Sequence, residues 1–348
     1  MRGRSKRYLL DLQMTGTCAE RRTKRMGRKK SDAFSRFIYS NNTTGYFFIL
    51  PWLIGFLAFT LVPFIMSFVL SFTNYNILSP NTKFVGLDNY ITLFTNDQLF
   101  LKSLEVTFKF AFISVPLRLI FALFVAMILN RKSKAIGIYR VVYYLPSIIG
   151  GSVAVSVMWR NLFAKDGVVN GLLQLIGINS QLNWLSNTKT ALFTLILLYV
   201  WQFGSSMLIF LSGLKQISPT YYEAAEMDGA GKVRQFFSIT LPLLSPIILF
   251  NLVMQIINGF MVFTQAQIIT DGGPVNETLV YVLYLYRQSF KYYEMGYGSA
   301  MAWILLVIVG CFTALVFKSS NQWVFYENNA RQDEPNKKKK GKKGAGQA

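Results

Sequence analysis

Apolar residues in this chain are bunched into long blocks. Six windows, residues 46–72, 104–130, 139–163, 190–211, 239–263 and 298–317, run mostly apolar with few charges. Stretches of about 18 or more such residues are long enough to cross a bilayer as a helix. A soluble protein would have to bury six helices that are apolar nearly all round, so the pattern predicts an all-α membrane protein with six transmembrane helices. The segments between the windows carry their own signals. KFVGLDNYITLF, before the second window, reads as a turn and a short amphipathic piece. DGVVNGLLQLIG, after the third, reads as a surface helix ending near Gly177. TDGGPVNETLVYVLYLYRQSF, after the fifth, opens with a turn. Its aromatic run lies at the membrane interface, re-enters the protein, or begins a longer sixth span.

The loop between the fourth and fifth windows is different, because three acids (Glu223, Glu226, Asp228) fall within six positions of it. Ser218 followed by Pro219 reads as an N-cap with proline at the first helical position. Thr220 and Glu223 also fit a capping box one register later. Glu223-Ala-Ala-Glu favours helix, and its acids near the helix start suit the macrodipole. Gly229 and Gly231 bend the chain, and VRQFFSI forms a second short helix before the fifth span begins at Leu241-Pro242. GAGK (229–232) is not a phosphate loop. The positions that need glycine and Ser or Thr hold Glu226 and Val233.

Composition agrees with a membrane protein: 52% of residues are hydrophobic and the mean hydropathy is +0.35. A net charge of +20 would suit nucleic acid, but its distribution points elsewhere. Lys and Arg crowd the first 45 residues and the tail, and recur at 131–134, Arg140, Lys215, Lys232 and Arg234. With six spans these segments share one side, which then carries 27 of the 36 basic residues against seven opposite. Cytoplasmic loops are the Lys/Arg-rich ones, so both termini are expected inside. The basic tails then read as topology signals in contact with anionic membrane lipid, not as a nucleic-acid surface. The expected organisation is a basic cytoplasmic tail (1–45), a transmembrane domain (46–326) with a cytoplasmic loop (212–238), and a second basic tail (327–348). No cleavable signal is evident at the N-terminus, where Met26 offers an alternative start. Cys18 and Cys311 form no disulfide framework, and there is no histidine.

One pattern is specific. EAA, three residues, Gly, nine residues and Ile-x-Leu-Pro stand complete as Glu223-Ala224-Ala225, Gly229, Ile239 and Leu241-Pro242. This resembles the signature of permease subunits of binding-protein-dependent ABC importers. The setting YYEAAEMDGAG…FFSITLPLLSP, with FVGLDNY, YRVVYYLPSIIGG and TDGGPVNET, resembles the MalF-type carbohydrate permeases from about residue 46 to 326. The resemblance implies the type I ABC importer permease architecture, with both termini in the cytoplasm of a bacterial cell. It implies a heterodimer with a second permease subunit, two ATPase subunits that hold ATP and Mg, and an extracytoplasmic sugar-binding protein. This chain would bind no cofactor and do no chemistry; it would supply half of a carbohydrate pathway and one coupling helix. In that helix Ala224 and Ala225 permit close approach, Gly229 and Ala230 form the bend, and Glu223 and Asp228 either pair with charges on the ATPase or cap and solubilise the loop.

Candidate pathway residues lie on the fourth and fifth spans. Asn251, Gln255 and Asn258 share a face, which Val262 interrupts before Gln265. Trp201, Gln202 and Ser205 add an aromatic face and polar groups suited to a sugar. The resemblance places sugar contacts on these two helices, which brings in Gly259 as well. The competing reading is polar glue between helices, worth roughly 0.6 kcal/mol per bond. Arg118, inside the second span, costs about 2.5–3.5 kcal/mol to insert and should face protein or water. It lines the pathway, binds anionic sugar groups, or meets a partner on the second permease. The small residues of IIGGSVAVS read as sites of close helix packing. A cation-coupled secondary sugar transporter is the rival. Proton-coupled carriers keep acids or histidine inside the membrane, whereas no acid lies within a window here (Glu105 sits at an end), and a sodium-coupled carrier leaves the EAA loop unexplained. A membrane enzyme lacks any acid, His or Cys cluster to act as catalyst.

Overall fold

The structure is a computed structural model that describes residues 41–79, 81–131, 135–178 and 182–325, with side chains from residue 48 onward. The expected tails lie outside the described residues, except 41–45, which are helical. The described residues fall into two compact units that divide between residues 67 and 68. Helix α1 (Asn41–Phe56), in the first, continues through a π turn at Leu57–Leu61 into α2 (Val62–Leu70), which runs across the division. Trp52 stacks on Phe56 with ring centroids 5.4 Å apart.

The second unit is built on α4 (Gln98–Leu129), a single 32-residue helix. It follows α3 (Asp88–Thr95), and Asp97 caps it by accepting the Phe100 N–H at 2.9 Å. Its buried residues recur every three or four positions from Phe100 through Phe110, Ser114 and Arg118 to Leu129. This gives one continuous inward face. The elements packed most closely on that helix are α8 (Ala191–Trp201), α9 (Gly204–Leu214), α12 (Leu241–Phe260) and α14 (Tyr281–Tyr286). The remaining helices are α5 (Ile136–Ile149), α6 (Val153–Leu162), α7 (Val168–Leu175), α10 (Pro219–Met227), α11 (Lys232–Gln235), α13 (Thr264–Ile269) and α15 (Met295–Trp323).

Among the described residues, four helices are long and apolar enough to cross a membrane: Phe48–Leu70, Gln98–Leu129, Lys232–Ile269 and Met295–Trp323. The number is six if each of two bent pairs is one span. The third window is therefore not the straight span its hydropathy suggested: α5 and α6 meet at 100°. Gly150, Gly151 and Ser152 form that break, and the Ser152 hydroxyl caps α6 by accepting the Val155 N–H at 3.3 Å. The fourth window bends by 41° between α8 and α9. The fifth helix starts nine residues earlier than Leu241, because a π turn at Phe236–Thr240 carries α11 into α12.

The aromatic run after the fifth window re-enters the protein. Tyr281, Leu283 and Tyr284 are buried, the Tyr281 N–H donates to Thr107 Oγ1 at 2.8 Å, and its hydroxyl donates to the Met301 carbonyl at 2.8 Å. Asp97 Oδ2 accepts from the hydroxyls of Tyr284 and Tyr297, each at 2.6 Å. One carboxylate thus joins α4, α14 and α15. Burial, then the Asp97 carboxylate, pushes the Tyr284 phenol well above its ordinary range. Lys102 and Glu277 add an ion pair at 2.8 Å beside it.

Candidate functional site

The charged loop leaves α9 at Leu214 and folds by local rules. Ser218 is the N-cap of α10, accepting the Thr220 N–H at 3.4 Å, with Pro219 at the first helical position. The alternative capping box is not formed, since the Thr220 hydroxyl meets that of Ser218 at 2.8 Å. At the other end the Gly229 N–H donates to the Glu226 carbonyl (3.0 Å) and the Ala230 N–H to the Ala225 carbonyl (2.8 Å). That pair of bonds is a Schellman closure, and it requires the left-handed backbone that Gly229 adopts at φ +76°.

Three further contacts brace the loop. Lys232 pairs with Glu226, whose carboxyl it holds below the ordinary glutamate range. Gln235 Nε2 donates to the Ala230 carbonyl at 3.0 Å, and Tyr222 and Thr240 share a hydroxyl bond of 2.9 Å. Glu223, Ala224, Asp228 and Gly229 are exposed, while Ala225 and Ala230 are half-buried. The loop also exposes large apolar side chains that the sequence reading did not single out: Met227 at 88%, Val233 at 73% and Phe237 at 61%. Their position beside an acidic helix in a charged loop was the available signal. A cleft of about 670 Å³ opens between this loop and the adjoining ends of α4 and α5, lined by Arg131, Arg140, Lys215, Tyr222, Glu223 and Glu226 among others.

The candidate pathway residues separate into two groups. Arg118 is 7% exposed; its guanidinium donates to the Gln202 carbonyl at 2.5 Å and lies 4.5 Å over the Tyr199 ring. Gln202 is buried and its Nε2 donates to the Gly150 carbonyl at 3.0 Å. Gln255 is buried and accepts the Tyr199 hydroxyl at 3.1 Å. Asn251 is fully buried with no hydrogen-bond partner for its carboxamide. Gly259 and Val262 are buried too, and Gly259 lies against Val115 and Ala111 of α4. Asn258 is exposed, at the edge where the face turns outward, and Trp201 and Ser205 are half-buried. Trp201 rests on Trp159 with centroids 5.7 Å apart. The amide stripe is thus divided, because α4 and Tyr199 cover its centre.

Residues 101–321 match the family described as the binding-protein-dependent transport system inner membrane component. The chain is 56% identical over 296 residues to the probable ABC transporter permease protein YesP of Bacillus subtilis, covering 84% of this chain and 96% of that protein. It is 33% identical over 289 residues to MalF, a permease protein of the trehalose/maltose transport system of Thermococcus litoralis, covering 82% and 96%. Its fold is similar to that in the crystal structure of a bacterial ABC transporter involved in the import of the acidic polysaccharide alginate. There the TM-score is 0.70 at 22% identity, over 85% of this chain and 99% of that one. A helical membrane domain, the complete EAA pattern on a braced loop and these matches agree: the chain belongs to the family of inner membrane permease components of binding-protein-dependent ABC transport systems.

Proposed function

We propose that this chain is the permease subunit of an ATP-driven importer for an oligosaccharide, working without chemistry of its own. One observation carries the coupling role. Helix α10 is capped at both ends, braced to Thr240 and Lys232, and yet presents Glu223, Ala224 and Met227 outward. A rigid, exposed helix with small and apolar contact residues suits a cleft on a separate ATPase that binds ATP and Mg. In this reading the loop and both termini face the cytosol of a bacterial cell, in keeping with the basic-residue bias. A second permease subunit completes the pathway, and an extracytoplasmic binding protein delivers the sugar. Carbohydrate as cargo rests on the Thermococcus litoralis relative, a permease of a trehalose/maltose transport system. Asn258, Trp201 and Ser205 are the pathway residues open to a sugar; Arg118, Gln202 and Gln255 support them from behind.

The test is purification of the tagged chain from its own membranes in mild detergent, with mass spectrometry of what accompanies it. An ATPase and a second permease are expected in the eluate. A folded chain that emerges alone would overturn the importer reading in favour of a secondary transporter.

A further inference from the structure

Two helices of the second unit break side by side, and the capping groups at each break come from the other. At the α8/α9 break, Ser205 lies in the first turn of α9, where N–H groups lack intrahelical acceptors. Its N–H donates to Ser147 Oγ at 2.9 Å. The Ser147 hydroxyl in turn donates to the Gln202 carbonyl at 2.9 Å. One hydroxyl of α5 thereby replaces the missing rung between α8 and α9. At the α5/α6 break the relation is reversed: the Gly150 carbonyl, just past the end of α5, accepts from Gln202 Nε2 at 3.0 Å. Arg118 of α4 secures the arrangement with its 2.5 Å bond to the same Gln202 carbonyl. Glycine is needed on both sides. A Cβ on Gly204 would strike the Tyr143 carbonyl oxygen, and one on Gly150 would strike the Gln202 side chain.

We propose that the two breaks form one reciprocal joint, in which neither bend opens without uncapping the other, with Ser147, Gln202 and Arg118 as its positioning residues. Inside a bilayer no water is at hand to replace those partners, so broken helices persist only where neighbours satisfy them. The joint also divides the surrounding helices into two blocks. On one side α6 and α8 are tied by Trp159, whose Nε1 donates to the Thr194 carbonyl at 3.1 Å and whose ring meets Trp201. On the other, α5 and α9 are in close contact at Gly204, and Tyr143 meets Phe203 at 6.0 Å. Arg118 makes no ion pair with any described residue. Its charge is spent on a carbonyl at the C-terminal end of α8 and on the Tyr199 ring.

Hydrogen exchange of the full chain in lipid nanodiscs, read by mass spectrometry over residues 143–159 and 198–212, tests this without reference to transport. Gln202→Met, which loses one bond, is expected to raise exchange on the order of tenfold in both segments, and Ser147→Ala, which loses two, at least as much. The double variant should raise exchange further and by the same factor in both segments, because both losses act on one opening. Ser147→Thr, which keeps the hydroxyl, should behave as wild type. The joint is refuted if Ser147→Ala affects only 198–212, Gln202→Met only 143–159, and the double variant shows each effect in its own segment alone. Should those variants fail to fold, the wild-type chain decides on warming: one common opening rate for both segments supports the joint, and two different rates overturn it.

Discussion

Replacement of Gly229 isolates the contribution of one backbone conformation to coupling. The residue closes α10 at φ +76°, and a Cβ built there meets nothing within 4 Å. Any cost is therefore backbone strain, with no steric part. For an ordinary L-residue the left-handed region costs about 1–2 kcal/mol, while Asn enters it readily. That energy corresponds to roughly a 5- to 30-fold loss of the closed turn, at about 1.4 kcal/mol per factor of ten. Gly229→Ala should thus weaken binding of the ATPase to the chain in nanodiscs by roughly that factor. Gly229→Val should lose at least as much, being β-branched, and Gly229→Asn should stay near wild type. Hydrogen exchange over 219–235 should rise in the same order, while the thermal midpoint stays constant because the loop is exposed. Equal losses for Asn and Val, or none for Ala, would show that the left-handed turn is not what the partner requires.

Other substitutions probe the remaining contacts. Gly229→Asp, which sets a carboxylate beside Asp228, should insert normally and abolish uptake; normal uptake would count against docking through α10. Asp97→Asn removes the charged acceptor shared by Tyr284 and Tyr297 and should lower stability by about 1.5–3 kcal/mol per charged bond lost, read as a thermal shift in detergent. Trp159→Phe keeps an aromatic ring but loses the bond to Thr194 and part of the buried indole; at least about 1 kcal/mol of stability should go with it, and an unchanged midpoint would mean that neither carries weight. Because Lys232 depresses the Glu226 carboxyl, the bracing of α10 is present above the unfolded glutamate pKa and is lost as pH falls through the lower, folded one. Protection of 219–235 relative to the intrinsic exchange rate should therefore fall in acid for wild type, and Lys232→Met should remove that dependence.

What the sequence revealed depended on how far apart the interacting residues lie. The α10 loop is governed by neighbours: Ser218 caps a helix that starts one residue later, and Gly229 closes it through bonds to Ala225 and Glu226. Those features were legible. The break at Gly150–Ser152 was not, because a hydropathy window averages across it and because the group that satisfies Gly150 belongs to Gln202, 52 positions away. The Asp97 cluster joins residues 187 and 200 positions apart, beyond any local pattern. The amide stripe shows a third limit: spacing defines a helix face, but not what covers it. Asn251 and Gln255 lie on the expected side of α12, and that side is packed against this chain's own helices.

A force applied to α10 has two routes into the membrane domain. Tyr222 passes it to Thr240, at the π turn where α11 becomes α12, and so to the helix that carries Asn258. The chain itself passes it through Ser218 back into α9, which Gly204 and Ser205 hold against α5. The first route runs into a helix continuous from Lys232 through the π turn to Phe260, and displacement there moves the whole element. The second meets the bend at Gln202, where Ser147, Gly150 and Arg118 converge. Movement of α9 must therefore either carry α5 with it or break the bonds that cap both helices. Under the proposed coupling, one motor stroke would shift one pathway helix as a rod and press the other against a hinge, so that the two proposed pathway faces, Asn258 on α12 and Trp201 on α8, would move relative to each other. A variant that loosens the joint should accordingly leave ATPase binding to α10 intact while separating ATP hydrolysis from uptake, whereas one that loosens α10 loses both.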